Sequence, residues 1–149
     1  MSLDVDTTAE GVIERRPIKL EGHWSWHVPV HMSQGWVLDD LVLVGGQIAV
    51  DEQGEVIGPG DIEIQTREVF ANIGKVLAEA GLGWEHVVKL NTFYVCEPDE
   101  DVVAFWEKMT RVRMEFLRAP GPAATAVRVV GLMYPELVIE AEAMAIRPR

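Results

Sequence analysis

The sequence predicts an α+β fold in which one β-sheet carries two helices on a single face. Three observations predict it. Two segments have apolar residues at helical spacing, and the stretches around them are β-branched with alternating character. The order is strands, helix, strand, helix, two strands, which lets both helices cover the same face. Nothing else in the chain remains to cover the other face, so that face is expected to be buried by neighbouring subunits. At 149 residues and 48% hydrophobic composition, the chain reads as one domain over 1–149, with 1–11 as a frayed polar leader.

Val12 to Leu20 reads as a first edge strand broken at Pro17. An aromatic and histidine-rich patch follows from Gly22 to His31. Gly35 marks a turn, and Trp36 to Leu38 begins a short strand. Leu41 to Val44 is a buried strand that Gly45-Gly46 interrupts and Gln47 to Val50 continues. Gly54, Gly58, Pro59 and Gly60 form a loop. Val69, Phe70, Ile73, Val76, Leu77 and Ala80 then recur on one helical face, with Asp61 or Thr66 as the cap and Gly81 as the residue just past the end.

Val87 to Val95 is a β-branched and aromatic strand. Pro98-Asp99 opens the second helix, with Asp99 as its N-cap. Its stripe runs through Val102, Val103, Phe105, Trp106, Met109, Val112, Phe116 and Leu117, and Pro120-Gly121-Pro122 stops it. The final strands span about Ala124–Val130 and Leu137–Ile146, with a turn at Met133–Pro135 that makes them a hairpin.

The formal net charge of −11 opposes nucleic acid as a partner, because phosphate binding needs clustered Lys and Arg. The single cysteine, Cys96, excludes an internal disulfide framework and fits a reducing compartment. No basic n-region and apolar h-region open the chain. No apolar run approaches the roughly 18 residues that span a bilayer. The expectation is a soluble cytoplasmic protein.

Chemistry concentrates in the last strand. Side chains alternate along a strand, so Val138, Glu140, Glu142, Met144 and Ile146 share one face. Ile139, Ala141, Ala143 and Ala145 share the helix-side face. Two carboxylates inside an apolar strand are costly without partners, which marks their face as a functional candidate. In the preceding strand Ala124, Ala126, Arg128 and Val130 share one face, and Thr125, Val127 and Val129 suit packing under the helices. A hairpin would set Arg128 opposite Glu140 and Ala126 opposite Glu142, predicting an Arg128–Glu140 pair and leaving Glu142 freer. That pair reads as a structural ion pair at a subunit boundary. The other reading makes Arg128 an anion anchor, although four residues along a strand is roughly 13 Å.

Gln47 and Asn91 are polar side chains in strands, able to hydrogen-bond a ligand; asparagine is disfavoured there, which hints at a role. Both could equally be satisfied by backbone at an interface. His23, His27 and His31 recur every fourth residue, but Pro29 opposes the helix that would stack them. Without three or four convergent ligands no metal site is assigned; the patch reads as an aromatic rim at a subunit boundary or a stacking surface for a planar ligand. Acidic neighbours raise the pKa of Cys96, so it reads as a passive thiol. Gly45-Gly46 lacks the context of a phosphate loop.

Four stretches taken together carry a resemblance. They are Leu43-Val44-Gly45-Gly46-Gln47-Ile48-Ala49-Val50, the helix end Val76-Leu77-Ala78-Glu79-Ala80-Gly81-Leu82, Val87-Val88-Lys89, and Glu140-Ala141-Glu142-Ala143-Met144-Ala145-Ile146. In this order and spacing, from about Ser33 onward, the chain resembles the RidA/YjgF family. The resemblance implies a chorismate-mutase-like fold and a homotrimer with ligand sites in clefts between subunits. It further implies hydrolysis of enamines and imines without metal or organic cofactor. An endoribonuclease label is also attached to the family, and the acidity of this chain opposes that activity.

Residue by residue, the family's water-positioning glutamate matches Glu142, and its Gly-Gln pair matches Gly46 and Gln47. The arginine that binds the substrate carboxylate falls on Ala124, two residues after Pro122. The aromatic before Ser33-Gln34-Gly35 is Met32. An alanine cannot supply a bidentate guanidinium contact, so the chain resembles an arginine-less branch. The expected function is a trimeric hydrolase or deaminase for a reactive enamine- or imine-type metabolite. Glu142 would orient water, with Gln47, Gly46, Asn91, Arg128, Ala124 and Met32 around the ligand. The alternative is a non-catalytic small-ligand-binding or regulatory trimer that kept the cleft and lost the chemistry.

Overall fold

The computed structural model describes residues 11, 13–26 and 28–149. His27, Val12 and most of the proposed leader therefore lie outside the described residues. Six strands and two helices follow in the order β1 (Arg15–Ile18), β2 (Gly35–Leu38), β3 (Leu41–Gln47), α1 (Ile62–Glu79), β4 (Val87–Tyr94), α2 (Val102–Phe116), β5 (Ala123–Arg128) and β6 (Ile139–Ile146). The strands form one mixed sheet in the order β1-β2-β3-β6-β4-β5. Both helices lie on one face, α1 over β3 and β6 and against α2.

Local chemistry sets the helix ends. Asp61 caps α1 by accepting from the Ile64 amide at 2.9 Å, which decides between the two cap candidates. Gly81, at φ +74°, follows the helix in the left-handed conformation that glycine takes without strain. Asp101, not Asp99, caps α2: its Oδ1 accepts from Val103 and Ala104. The side chain that reaches the free amides of the first turn is the cap, and Asp99 lies two residues too early.

The strands depart from expectation at four places. β1 runs through Pro17 instead of breaking there. It is the sheet edge, where a residue without an N–H leaves no ladder bond unmade. Gly35 is not a turn but the first residue of β2. A Cβ there would overlap the carbonyl oxygen of Leu43 and press on Val76 Cγ1 at 3.0 Å. Gly45-Gly46 does not break β3 but forms a bulge within it.

The fourth departure is the largest. β5 and β6 are not a hairpin. β5 pairs parallel with β4, and β6 lies antiparallel between β3 and β4. The unit β4-α2-β5 is a parallel crossover, which needs a helix-length connection. β6 then fills the middle of the sheet, where small buried side chains suit it: Ile139, Ala141, Ala143 and Ala145 sit under the helices. Every residue of β5 is exposed, as an edge allows.

Gly35→Ala is expected to lower the unfolding free energy by about 1–3 kcal/mol, because the new methyl meets backbone that cannot retreat. Urea denaturation monitored by circular dichroism checks this; unchanged stability would show that β2 and β3 are more loosely packed.

Candidate functional site: the open sheet face at β3, β4 and β6

The site begins with a bulge. In β3, Val44 pairs with Ala143 and Gln47 with Ala141. Three residues of β3 thus span what two residues of β6 span. The extra residue returns Gln47 to the helix side, where it is fully buried. Its oxygen accepts from Trp24 Nε1 at 3.0 Å and from His23 Nε2 at 2.9 Å. Its amide donates to Gln34 Oε1 at 2.9 Å and to the Gly45 carbonyl at 3.1 Å. Gln34 in turn donates to the Trp24 carbonyl.

An indole N–H only donates, which fixes the facing Gln47 atom as oxygen and puts the hydrogen on His23 Nε2. Burial pushes the His23 pKa below its ordinary value, against the pull of the Gln47 hydrogen bond. The ring is a neutral member of the network. Trp24 also stacks edge-on against Trp26, 5.3 Å between centroids. The aromatic segment is thereby pinned to β3.

On the other side of the sheet the same bulge opens space. A cavity of about 260 Å³ on the open face is lined by Ser33, Trp36, Gly45, Lys89, Asn91 and Glu142, among others. Asn91 faces Glu142 across the β4–β6 ladder, and its Nδ2 donates to Glu142 Oε1 at 3.0 Å. One carboxylate oxygen is held and the other is left for a ligand or water. Lys89, two residues before Asn91 on the same face, donates to Thr125 Oγ1 at 2.9 Å.

Glu140 stands on this face two residues from Glu142. Its carboxyl packs over Gly46, so closely that a Cβ at Gly46 would overlap Oε1. Burial, and then the neighbouring Glu142 charge, raise its pKa above the usual carboxylate range. A carboxyl that tends to keep its proton therefore adjoins one already hydrogen-bonded by an amide.

The structure brings Glu142 and Asn91 together, whereas Gly46 lies against the Glu140 carboxyl and not in the cavity lining. It corrects the other assignments. Gln47 does not face the cavity; its hydrogen-bonding groups are taken up in the buried network. Ala124 and Arg128 stand level with Leu90 and Tyr94 of β4, on the helix side, whereas Glu140 and Glu142 face away from the helices. Thr125 and Val127 take the open face instead of lying under the helices. The predicted Arg128–Glu140 pair therefore does not form. Arg128 donates to the Cys96 carbonyl. Met32 is exposed and does not line the cavity.

Sequence reasoning missed Lys89 and Ser33. Lys89 shares parity with Asn91, which was a readable signal; Ser33 lies outside any strand and gave none. His23 and Gln47 are linked, and His31 is exposed. Among the described residues no group of three or more His, Cys, Asp or Glu is placed to hold a metal ion. No helix among them is long and apolar enough to cross a membrane.

A mixed sheet with two helices on one face and an amide-held glutamate on the other defines the class of small chorismate-mutase-like α+β proteins. The chain belongs to the RidA/YjgF family, and residues 27–147 match the family model described as Endoribonuclease L-PSP. A RutC family protein from Synechocystis is 32% identical over 117 residues, covering 78% of this chain and 85% of that protein. One from Pyrococcus abyssi is 37% identical over 114 residues, covering 76% and 84%. The YjgF gene product of Escherichia coli superposes with a TM-score of 0.74 at 27% identity, over 89% of this chain and 99% of that one. Escherichia coli TdcF, solved with bound serine, gives 0.75 at 25% identity over the same shares. Membership supports a role at family level in small-molecule hydrolysis, deamination or binding.

Two outcomes follow from this geometry. Gln47→Leu is expected to cost about 3 kcal/mol in urea unfolding, since it strands the Trp24 and Gln34 polar atoms in the core; a neutral result would mean that water replaces the amide. Followed by 13C NMR, Glu140 is expected to titrate above the ordinary value of about 4.3, and Glu142→Gln to bring it only part of the way down, because burial is the larger cause. A raised folded pKa means that this group's contribution to stability is present at low pH and is lost as pH rises through the folded midpoint.

Proposed function

We propose that the chain is a RidA-like hydrolase that converts a reactive enamine- or imine-type metabolite to a carbonyl compound and ammonia, with Glu142 orienting the water. The observation that carries this reading is the Asn91–Glu142 hydrogen bond on the open sheet face. An amide that fixes one carboxylate oxygen leaves the other aimed at a water molecule. Water adds to the carbon of the C=N bond and its proton passes to Glu142. The proton returns to nitrogen to give a carbinolamine; its hydroxyl proton then passes to nitrogen by way of Glu142, the C–N bond breaks, and ammonia leaves as the C=O bond forms, an enamine entering this path as its imine tautomer. Glu140, which burial inclines to keep its proton, is a second proton-bearing group on the same face.

The cleft in this reading is completed by a second subunit in a homotrimer. Val88, Val127, Met144 and Ile146 stand on the sheet face away from the helices, each more than 40% exposed. An apolar strip of this kind next to an acidic cleft is what a second copy would cover. The formal charge of −11 argues against RNA as the substrate.

A second reading is a non-catalytic binder or regulator. It draws on Ala124, where the family's carboxylate-binding arginine is expected, and so on an arginine-less branch. A relative from Lactococcus lactis, 31% identical over 113 residues, bears a name that proposes a regulator, AldR. TdcF with bound serine shows a small amino acid held by a protein of this fold.

Ammonia release from a panel of imines and aminomuconate-like enamines tests the first reading. Glu142→Gln is expected to slow release by about a hundredfold or more, the usual scale for losing a general base. An unchanged rate removes Glu142 from the mechanism. Silence across the panel, with small acids raising the unfolding temperature of the wild type, supports the binder.

A further inference from the structure

The outer face of α2 carries apolar side chains that the fold leaves in water. Val103, Thr110 and Met114 fall at intervals of seven and four residues, and so lie along one line of the helix. Val103 belongs to the apolar stripe read from the sequence, yet it is 62% exposed, and Met114 is 68% exposed. The buried face of the helix is a different one, made by Phe105, Met109 and Val112. A groove of about 790 Å³ follows the outer line. Helical spacing puts Trp106 on one flank of that line and Glu107 and Arg111 on the other.

The two charges on that flank are one turn apart and opposite in sign. Glu107 is exposed. Arg111 donates to Glu63 Oε1 at 3.0 Å, which uses one of its five N–H groups. Counted from Met109, Glu107 and Arg111 lie two residues to either side, and Val103 and Met114 lie six before and five after. The face therefore reads nearly the same in both chain directions, with the charges exchanged. That is the pattern of an isologous contact, in which residue i meets j and j meets i.

We propose that this face pairs with the same face of a second copy of the chain, the two α2 helices running antiparallel about a two-fold axis at the level of Met109. Rotation about such an axis keeps each flank on its own side. Glu107 then comes level with the partner's Arg111, and by symmetry the pair forms twice. Val103 comes level with the partner's Met114 to within one residue, about 1.5 Å of rise. Thr110, next to the axis, is small enough to let the helices close to about 8–10 Å. Charge complementarity selects this occupant, since a foreign helix would not call for the matched spacing. An anionic membrane surface, another cover for an apolar helix face, is opposed by the formal charge of −11. One helix per copy buries less than the roughly 1,200 Å² of a lasting interface, so the association depends on concentration. The face lies on the helix side of the sheet, away from Glu142 and from the open face offered to a trimer, and rests on neither reading.

Sedimentation equilibrium of the full chain between about 10 μM and 1 mM tests the contact. The species present at the low end, whatever its copy number, is expected to double in mass toward the high end. Glu107→Arg and Arg111→Glu are each expected to weaken doubling by roughly tenfold or more, because each sets like charges against each other across the axis. Mixing these two variants should restore association, since a face with two arginines then meets a face with two glutamates. The double variant Glu107→Arg/Arg111→Glu should pair with itself as the wild type does. In the wild-type chain, the Met114 methyl resonance should shift with concentration, a readout that needs no variant to fold. The proposal is overturned if the wild type keeps one mass across the range, or if either single variant doubles as readily as the wild type. It is likewise overturned if the mixture does not associate, or if Met114 stays silent while the mass doubles, since the copies would then meet elsewhere.

Discussion

One extra residue in β3 decides the character of both sheet faces. The bulge at Gly45-Gly46 lets Gln47 turn inward, where its amide joins His23, Trp24 and Gln34 in a closed set of hydrogen bonds. A buried carboxamide is tolerable only when its donors and acceptors are matched. Here they are matched by a segment that has no regular structure of its own, so the amide is what holds that segment against the sheet. The same residue count leaves a glycine on the outer face, where the Glu140 carboxyl settles. Packing inside and chemistry outside are two results of one local irregularity, as is common for bulges beside functional sites.

Much of the fold was legible in the sequence, because helices and strands were encoded by period. The stripe from Val69 to Ala80 and the alternation of β6 gave elements and faces correctly. What failed was pairing. A strand's own alternation says which of its residues agree, not which neighbour it joins. The β5–β6 hairpin was inferred from proximity in sequence, whereas β4-α2-β5 forms a parallel crossover and β6 inserts beside β4. That error placed Arg128 and Ala124 on the wrong face. Gln47 was set at the ligand as a polar side chain in a strand and by the match to the family's Gly-Gln pair, and the bulge turns it inside instead. Glu142 and Asn91 were legible because each lies in a regular strand where parity holds. Their direct bond was not, since it depends on the register between β4 and β6.

The two faces also differ in electrostatics. The open face sets two carboxylates two residues apart with one amide and one lysine nearby. Burial first, and then the like charge of Glu142, favour the protonated form of Glu140. The helix side near β5 has the reverse arrangement, with cations and small side chains. A chain with a formal charge of −11 thus distributes its charged side chains unequally between the two faces of one sheet.

The position of β6 has a consequence for how the protein is made. It is the last of the six strands to leave the ribosome, yet it occupies the centre, joining β3 on one edge to β4 on the other. Until it arrives, β1-β2-β3 and β4-α2-β5 are two fragments with unpaired inner edges and no shared ladder. Nascent chains in that condition expose sticky strand edges. Completion of the sheet is therefore a late, long-range event, and the helices, which need only local contacts, form ahead of the surface on which they rest.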